Sequence, residues 1–410
     1  MLIAGDFTAF DQFTRTRVAR LHLDGSLDQA FDVGVGPNRS VLCLAVQPDG
    51  KILLGGTFTR FNGAPRAALA RVNADGSPDV AFNQTAQAIG EIQTIVVQAD
   101  GRILAGGLYE ASDGAAYTNL VRFNSDGSFD PGFIVNPDLS GRVRALLVQP
   151  DGKILLGGYF YPTNEAMPSL LIRLYLNGAL DREFSPPFVD TKTGLNPCIS
   201  SVLRLNDGSL LVGGSFSVST SNTIVPTSIV RLSPNGALDA SYRFAYDKQK
   251  DAWWLRGSLD LCLHLAPDGQ LFAGDRFRLF RLSRDGAIDA TFSALLDGSI
   301  TALAVLETGD VIVGGNFHEI NRVPRNHLAR LNGAEKLPFP ELMGSFLSSN
   351  GFQLAVATYS GRTYVLEMSE DLHEMPLIPV ATVVGSGEFT TFADPLIDRP
   401  NRFYRIRLQP

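Results

Sequence analysis

The chain has 410 residues, of which 45% are hydrophobic and 19% charged, a globular composition with room for a large array and a companion domain. A net charge of -7 argues against a general nucleic-acid binder, which needs a basic surface to neutralise phosphates. No apolar run approaches the ~18 residues of a membrane-spanning helix, so no membrane insertion is expected.

Taken from the N-terminus, the chain repeats itself. A full copy starts at Val41-Leu-Cys-Leu-Ala-Val-Gln-Pro-Asp-Gly-Lys-Ile-Leu-Leu-Gly-Gly-Thr-Phe58, crosses a polar loop, and continues Ala68-Leu-Ala-Arg-Val-Asn-Ala-Asp-Gly-Ser-Pro-Asp-Val-Ala-Phe82. An arginine marks each copy, at Arg20, Arg71, Arg122, Arg173, Arg231, Arg281 and Arg330, with intervals of 51, 51, 51, 58, 50 and 49 residues. Each copy holds two hairpin signals, such as Asp49-Gly50 and Asp75-Gly76, read as two-residue turns with positive φ at both central positions. Two hairpins make four strands, named A to D from the inside outward, and no 3.6-residue period competes with them. The expected fold is therefore all-β: a seven-bladed β-propeller followed by a small β-sandwich.

An aspartate follows the arginine by eight residues in six copies, from Arg20/Asp28 to Arg281/Asp289. Folding at the intervening turn puts the two side by side, so the pair is read as a cross-strand ion pair and not as a set of active sites. The aromatic that follows (Phe31, Phe82, Phe133, Phe184, Tyr242, Phe292) is expected to wedge between neighbouring blades. Cys43 and Cys262 share one strand-A position with Thr94, Ala145, Ser201 and Ala302; with Cys198 they are read as buried free thiols. Copy one lacks strand A, and copy seven keeps only a degraded strand D near 337–339. The expectation is that Met1 is an internal methionine, with the natural start and an export signal upstream.

The segments Val46-Gln-Pro-Asp-Gly-Lys-Ile-Leu-Leu-Gly-Gly-Thr-Phe58 and Val148-Gln-Pro-Asp-Gly-Lys-Ile-Leu-Leu-Gly-Gly-Tyr-Phe160, with the Arg-x-x-x-Asp-Gly-Ser half, resemble the delta-60 repeat family of bacterial propellers. The resemblance covers residues 1–335. It implies a component of exported or cell-surface proteins with no established catalytic residues.

Residues 336–342 form a proline-rich linker, and the repeat stops there. The alternating segments of 343–410 suggest a small β-sandwich. Gly361-Arg-Thr-Tyr-Val-Leu-Glu-Met-Ser-Glu-Asp-Leu372 and Arg402-Phe-Tyr-Arg-Ile-Arg-Leu408 are similar to terminal modules on exported verrucomicrobial and planctomycete proteins.

Catalytic, cofactor and metal motifs are lacking: no Gly-x-Ser-x-Gly, HExxH, P-loop or CxxC is present, and Asn73-Ala-Asp-Gly-Ser-Pro-Asp79 has its glycine too early for a calcium loop. His318 and His327 could approach across one loop, and His264 is the one histidine on an inner strand. The least repeat-like region is the loop entering copy six, with Lys248, Trp253, Trp254 and Arg256; the next loop is shortened around Arg276. With Arg15, Arg66 and Arg325 in other B–C loops, these residues form the candidate binding patch. The leading expectation is a non-enzymatic exported scaffold or binding protein with a glycan or protein ligand on its loop face. The alternative is a propeller lyase or hydrolase with a site at the central channel.

Overall fold

The computed structural model describes residues 1–82, 90–108, 119–135, 139–162, 169–189, 197–220, 223–242, 244, 261–266, 269–332, 342–348, 351–357, 363–369, 378–384, 389–394 and 403–408. Every regular element among them is a β-strand. The chain divides into two compact units, Met1–Asp289 with Ala294–Asn332, and Ala290–Ser293 with Gly333–Pro410.

In the first unit each copy of the repeat builds its own antiparallel sheet. Copy two orders Val41–Val46, Ile52–Gly56 and Leu69–Val72 as strands A, B and C. Copies three, four, five and seven repeat that order, and copy one has only Leu2–Ala4 against Val18–Arg20, with no strand A among the described residues.

The fourth strand departs from the expectation. In copies one to five, strand D shrinks to a single bridge, as at Leu21↔Leu27, Val72↔Pro78 and Phe123↔Phe129; copy six keeps a full one, Ile288–Leu295. The cause lies in the aspartate: Asp79 Oδ1 accepts from the Ala81 amide at 3.1 Å, which curls the chain off the ladder and turns Phe82 inward. The hairpin turns also differ from the two-residue type. Gly50 donates to the Gln47 carbonyl and Gln47 to the Lys51 carbonyl, and of the turn residues only Gly50 has positive φ, at 83°. This is a type I turn closed by one left-handed glycine, and Pro48 suits its first central position.

Strand A carries a bulge opposite the Gly-Gly doublet of strand B, between Val41 and Cys43 and again between Ile92 and Thr94. The doublet is needed for close approach. A Cβ on Gly55 would stand 2.6 Å from Ile92, and one on Gly106 2.6 Å from Val143, both on strand A of the next copy. Cys43 is half-buried as a residue and its Sγ lies 3.8 Å from the Ile92 carbonyl, so burial pushes the thiol well above its ordinary range. Cys198 is buried and Cys262 half-buried; all three are free thiols, but only one is fully enclosed.

The strand-C arginines of copies one to five each work in three directions. Nε donates to the aspartate eight residues on, at 2.8 Å in Arg71–Asp79, Arg122–Asp130 and Arg173–Asp181. The guanidinium lies over the aromatic that follows, 4.5 Å from the centroids of Phe82 and Phe133 and 4.4 Å from that of Phe184. Nη1 reaches into the next copy, where Arg20, Arg71, Arg122, Arg173 and Arg231 donate to the carbonyls of Ala74, Ser125, Leu176, Pro234 and Arg284. All five acceptors sit at the same place, three residues after the next copy's arginine.

Copy seven lacks the strand-D aspartate at this spacing, and the charge comes from elsewhere. Arg330 Nε donates at 2.8 Å to Asp310, which stands where Lys51, Arg102 and Lys153 stand in earlier copies. Arg330 Nη1 then donates at 2.7 Å to the Leu23 carbonyl of copy one. Leu328 packs with Ala19, Leu21 and Leu27 at the same seam. The array thus returns on itself, a closure that the sequence had left open.

In the second unit, Leu342–Ser348, Gly351–Ala357 and Phe389–Asp394 form one three-stranded sheet; Ile378–Val384, Thr363–Ser369 and Phe403–Leu408 form another. Leu354 and Phe392 of the first share a core with Tyr364 and Leu366 of the second.

The packing and the ion pairs set three expectations. Arg122→Ala should cost about 3 kcal/mol in chemical denaturation, because it strands a buried carboxylate; a loss no larger than that of an exposed substitution would contradict the clamp. Burial raises the pKa of Asp79, Asp130 and Asp181, but hydrogen bonds from Lys51, Arg71, Arg122, Lys153 and Arg173 outweigh it and leave all three below the ordinary range. Their stabilisation is complete above about pH 4 and is lost as pH falls through the depressed values, so the melting temperature should drop in that window, and less steeply in Asp130→Asn. For the doublets, Gly106→Val should prevent normal folding. Gly314→Ala, with no atom closer than 3.7 Å to the added carbon, should leave the melting temperature unchanged.

Candidate functional site

The B–C loops of copies one, two and seven share one construction. Each folds into a small hairpin, Ala9–Phe10 with Phe13–Thr14, Arg60–Phe61 with Ala64–Pro65, and Glu319–Ile320 with Val323–Pro324. The turn pairs Asp11-Gln12, Asn62-Gly63 and Asn321-Arg322 have positive φ at both positions, so two-residue turns of the kind expected in the blades occur here instead.

The D–A linkers hold the hairpins in place. Asn38 Oδ1 accepts from the Thr59 and Arg60 amides, and Asp297 Oδ1 from the His318 and Glu319 amides. Two backbone amides, from His318 and Glu319, keep the Asp297 carboxyl below its ordinary range. Asn62 donates to the Val33 carbonyl at 2.8 Å and accepts from the Gly36 amide at 2.7 Å.

Arg15, Arg66 and Arg325 occupy one equivalent position on these hairpins. Their backbone amides donate to Thr8, Thr59 and His318 carbonyls, and their Nη1 atoms to the carbonyls of Thr14, Pro65 and Pro324. Arg15 and Arg66 are half-buried and Arg325 is exposed. In copy six the loop is a tight turn, with Asp275 Oδ1 accepting from the Phe277 and Arg278 amides and an exposed Arg276 5.5 Å from the Phe277 ring centroid.

Copies six and seven are joined by Ile300 donating to the Asp275 carbonyl at 3.1 Å, and copies seven and one by Arg330 on Leu23. Arg276, Arg325, Arg15 and Arg66 therefore stand on four successive copies, although up to 310 residues separate Arg15 from Arg325 in sequence. Among the described residues none of the four is in an ion pair with a carboxylate, whereas all seven strand-C arginines are. Arg66, Arg276 and Arg325 keep most of a planar guanidinium fork for a carboxylate, sulfate or hydroxyl-rich ligand, whereas Arg15 spends Nη1 on the Thr14 carbonyl and Nη2 on the Gln29 carbonyl at 3.4 Å. Sequence reasoning named the four residues but not their adjacency, which depends on closure of the array. Lys248, Trp253, Trp254 and Arg256 lie outside the described residues.

The histidines carry less. His318 and His327 do meet, with ring centroids 4.9 Å apart, and His318 Nδ1 lies 3.8 Å from Asp297. Among the described residues no group of three or more His, Cys, Asp or Glu side chains is placed to hold a metal. Burial lowers the pKa of His264, which sits opposite Phe272 in the sheet.

No curated protein matches the chain in sequence. Among solved structures it is similar to PorZ, a bacterial surface component of the type-IX secretion system of Porphyromonas gingivalis, at 12% identity and a TM-score of 0.40 over 88% of this chain. The chain spans about half of PorZ, 48% of its length. It is also similar to a gluconolactonase of Xanthomonas campestris, at 17% identity and a TM-score of 0.38 over 65% of this chain and 80% of that one. A third likeness is an exo-beta-1,3-galactanase of Phanerochaete chrysosporium, at 12% identity and a TM-score of 0.36 over 99% of this chain and 96% of that one. In sequence, the domain of unknown function (DUF5122) beta-propeller matches residues 1–31, 47–82, 98–133, 149–184, 205–242 and 308–333. Those stretches contain the arginine, aspartate and turn residues of six clamps, and the chain belongs to this family of delta-60-like β-propeller repeats.

Proposed function

We propose that the chain is a non-catalytic, exported binding module whose loop face recognises an acidic macromolecule, an acidic glycan first of all. The observation that supports this reading is the division among the arginines. Those of strand C are consumed by the fold, while Arg276, Arg325, Arg15 and Arg66, on adjacent copies, have no carboxylate partner among the described residues. Arginine suits such a ligand because its planar fork matches carboxylate and sulfate geometry. The aromatic pair Trp253 and Trp254, with Lys248 and Arg256, enters the same copy as Arg276 and would add stacking surfaces for sugar rings.

A non-catalytic role is favoured by the acid groups themselves. The described carboxylates that depart from ordinary behaviour are all shifted down, by serine hydroxyls first at Asp24, Asp75, Asp126, Asp207, Asp239 and Asp285, by backbone amides at Asp297 and by the clamps at Asp28, Asp79, Asp130 and Asp181, whereas a general acid would be shifted up. Export follows the delta-60 likeness. The same proposal takes residues 1–335 as a seven-bladed ring, 336–342 as a linker and 343–410 as a small β-sandwich for surface attachment.

Polygalacturonate is a suitable probe. Binding measured by calorimetry should weaken with salt and fall at least about ten-fold in the combined variant R15Q/R66Q/R276Q/R325Q, with its melting temperature retained. No binding by the unaltered chain, or equal binding by the variant, would remove the loop face from consideration.

A further inference from the structure

The hairpins of copies seven, one and two carry apolar side chains that the fold does not bury. Val35 is 79% exposed and Leu295 58%, with Phe13 and Val323 each 41% exposed. Single exposed apolar residues are ordinary, but these four recur at one kind of place. Phe13 and Val323 occupy the same position, straight after the turn pairs Asp11-Gln12 and Asn321-Arg322. Leu295 lies beside the turn of copy seven, where its carbonyl accepts from the Asn321 amide at 2.8 Å. Val35 lies beside that of copy two, where the carbonyl of the next residue, Gly36, accepts from the Asn62 amide at 3.0 Å. The exposure of Val35 is built in: Gly34 and Gly36 flank it with φ of 74° and 72°, and a Cβ on Gly36 would stand 3.0 Å from the Thr16 carbonyl oxygen.

Positive charge surrounds these tips. The hairpins and the linkers that hold them, residues 6–17, 33–40, 57–67, 294–298 and 316–327, contain seven arginines against four carboxylates, a net of +3 on a chain of net charge -7. Two of those carboxylates are already engaged, Asp6 by Arg17 at 3.4 Å and Asp297 by the His318 and Glu319 amides. Arg39 and Arg322 are exposed and have no hydrogen bond or ion pair among the described residues. Arg322 adjoins Val323, and Arg15 and Arg325 each follow an exposed apolar residue by two positions. The B–C and D–A connections leave a blade by the same end, so apolar tips and arginines share one face.

We propose that this face docks on an anionic lipid bilayer, with the four apolar side chains entering the boundary between headgroups and acyl chains and the arginines meeting lipid phosphates. The two kinds of side chain together define the partner. Guanidinium groups match phosphate geometry and collect where the surface potential is negative, while apolar tips a few residues away gain only from an apolar medium. A hydrated polysaccharide offers those tips nothing, so the proposal goes beyond the acidic-glycan reading although both use the loop face. The docking is peripheral, made by loop tips alone.

Co-sedimentation of the full chain with lipid vesicles is the test. Vesicles of phosphatidylglycerol and phosphatidylcholine in equal parts should bind it at least about ten-fold more tightly than phosphatidylcholine alone, and salt should weaken the preference. The variant F13S/V35S/L295S/V323S, altered only at exposed positions, should bind the mixed vesicles about ten-fold more weakly, with its affinity for polygalacturonate unchanged. Val35→Trp should add blue-shifted emission, beyond that of the unaltered chain, that brominated lipid quenches; this reading holds whether or not the fourfold variant folds. No binding to the mixed vesicles, equal binding to both kinds, undiminished binding by the variant, or an unquenched tryptophan would overturn the proposal. Polygalacturonate binding without vesicle binding would overturn it and leave the glycan reading standing.

Discussion

The arginine clamp is the interaction on which the propeller unit rests. A three-stranded sheet with a bridged fourth segment is too small to enclose its own core, so each copy must be fixed against the next. Arg122 shows how one side chain does this. Nε holds Asp130 across the hairpin, the guanidinium plane covers Phe133, and Nη1 reaches Leu176 in the following copy. Lysine, with a single point charge, could not address three partners in three fixed directions. The pair is buried, so its two charges are costly to desolvate, and the carbonyl and the ring offset part of that cost.

Where the clamp changes, the rest of the seam changes with it. Copy seven puts the carboxylate on Asp310, at the position of a cation in copies two to four, and so preserves the charge balance with the partners exchanged. The Leu23 carbonyl is reached all the same, and the ends of the array meet. What the exchange does not restore is the packing. Among the described residues a Cβ on Gly25 would have nothing within 4 Å and one on Gly314 nothing closer than 3.7 Å, whereas one on Gly274 would stand 2.9 Å from Ile300. The loops obey a different constraint: their hairpins hang on Asn38, Asn62 and Asp297, and Arg15, Arg66 and Arg325 meet backbone carbonyls and, among the described residues, no carboxylate.

Much of the propeller was legible because its signals are local. The eight-residue Arg-to-Asp spacing survives translation into structure because a hairpin fixes which residues oppose each other, and the small residue opposite Gly55 could be inferred from six aligned copies. The third arm of the clamp could not be read, since a backbone carbonyl in the next copy leaves no mark in composition. The turn type was misread although Pro48 signalled it: a proline fixes φ near −65° and cannot stand at the first position of a turn needing positive φ there. The two-residue turns of the B–C loops were missed for the opposite reason, as Asp11-Gln12 and Asn321-Arg322 carry no glycine and are forced into positive φ by their tight hairpins. Of the candidate site, the arginines were recognisable one by one, but their arc exists only because the array closes.

Closure through Arg330 is the claim on which the rest turns, and amide hydrogen exchange of Arg330→Gln tests it most directly. Loss of the bond to Leu23 should speed exchange in residues 18–28 as well as in 311–331, two segments that lie at opposite ends of the array in sequence. Faster exchange confined to 311–331 would contradict it.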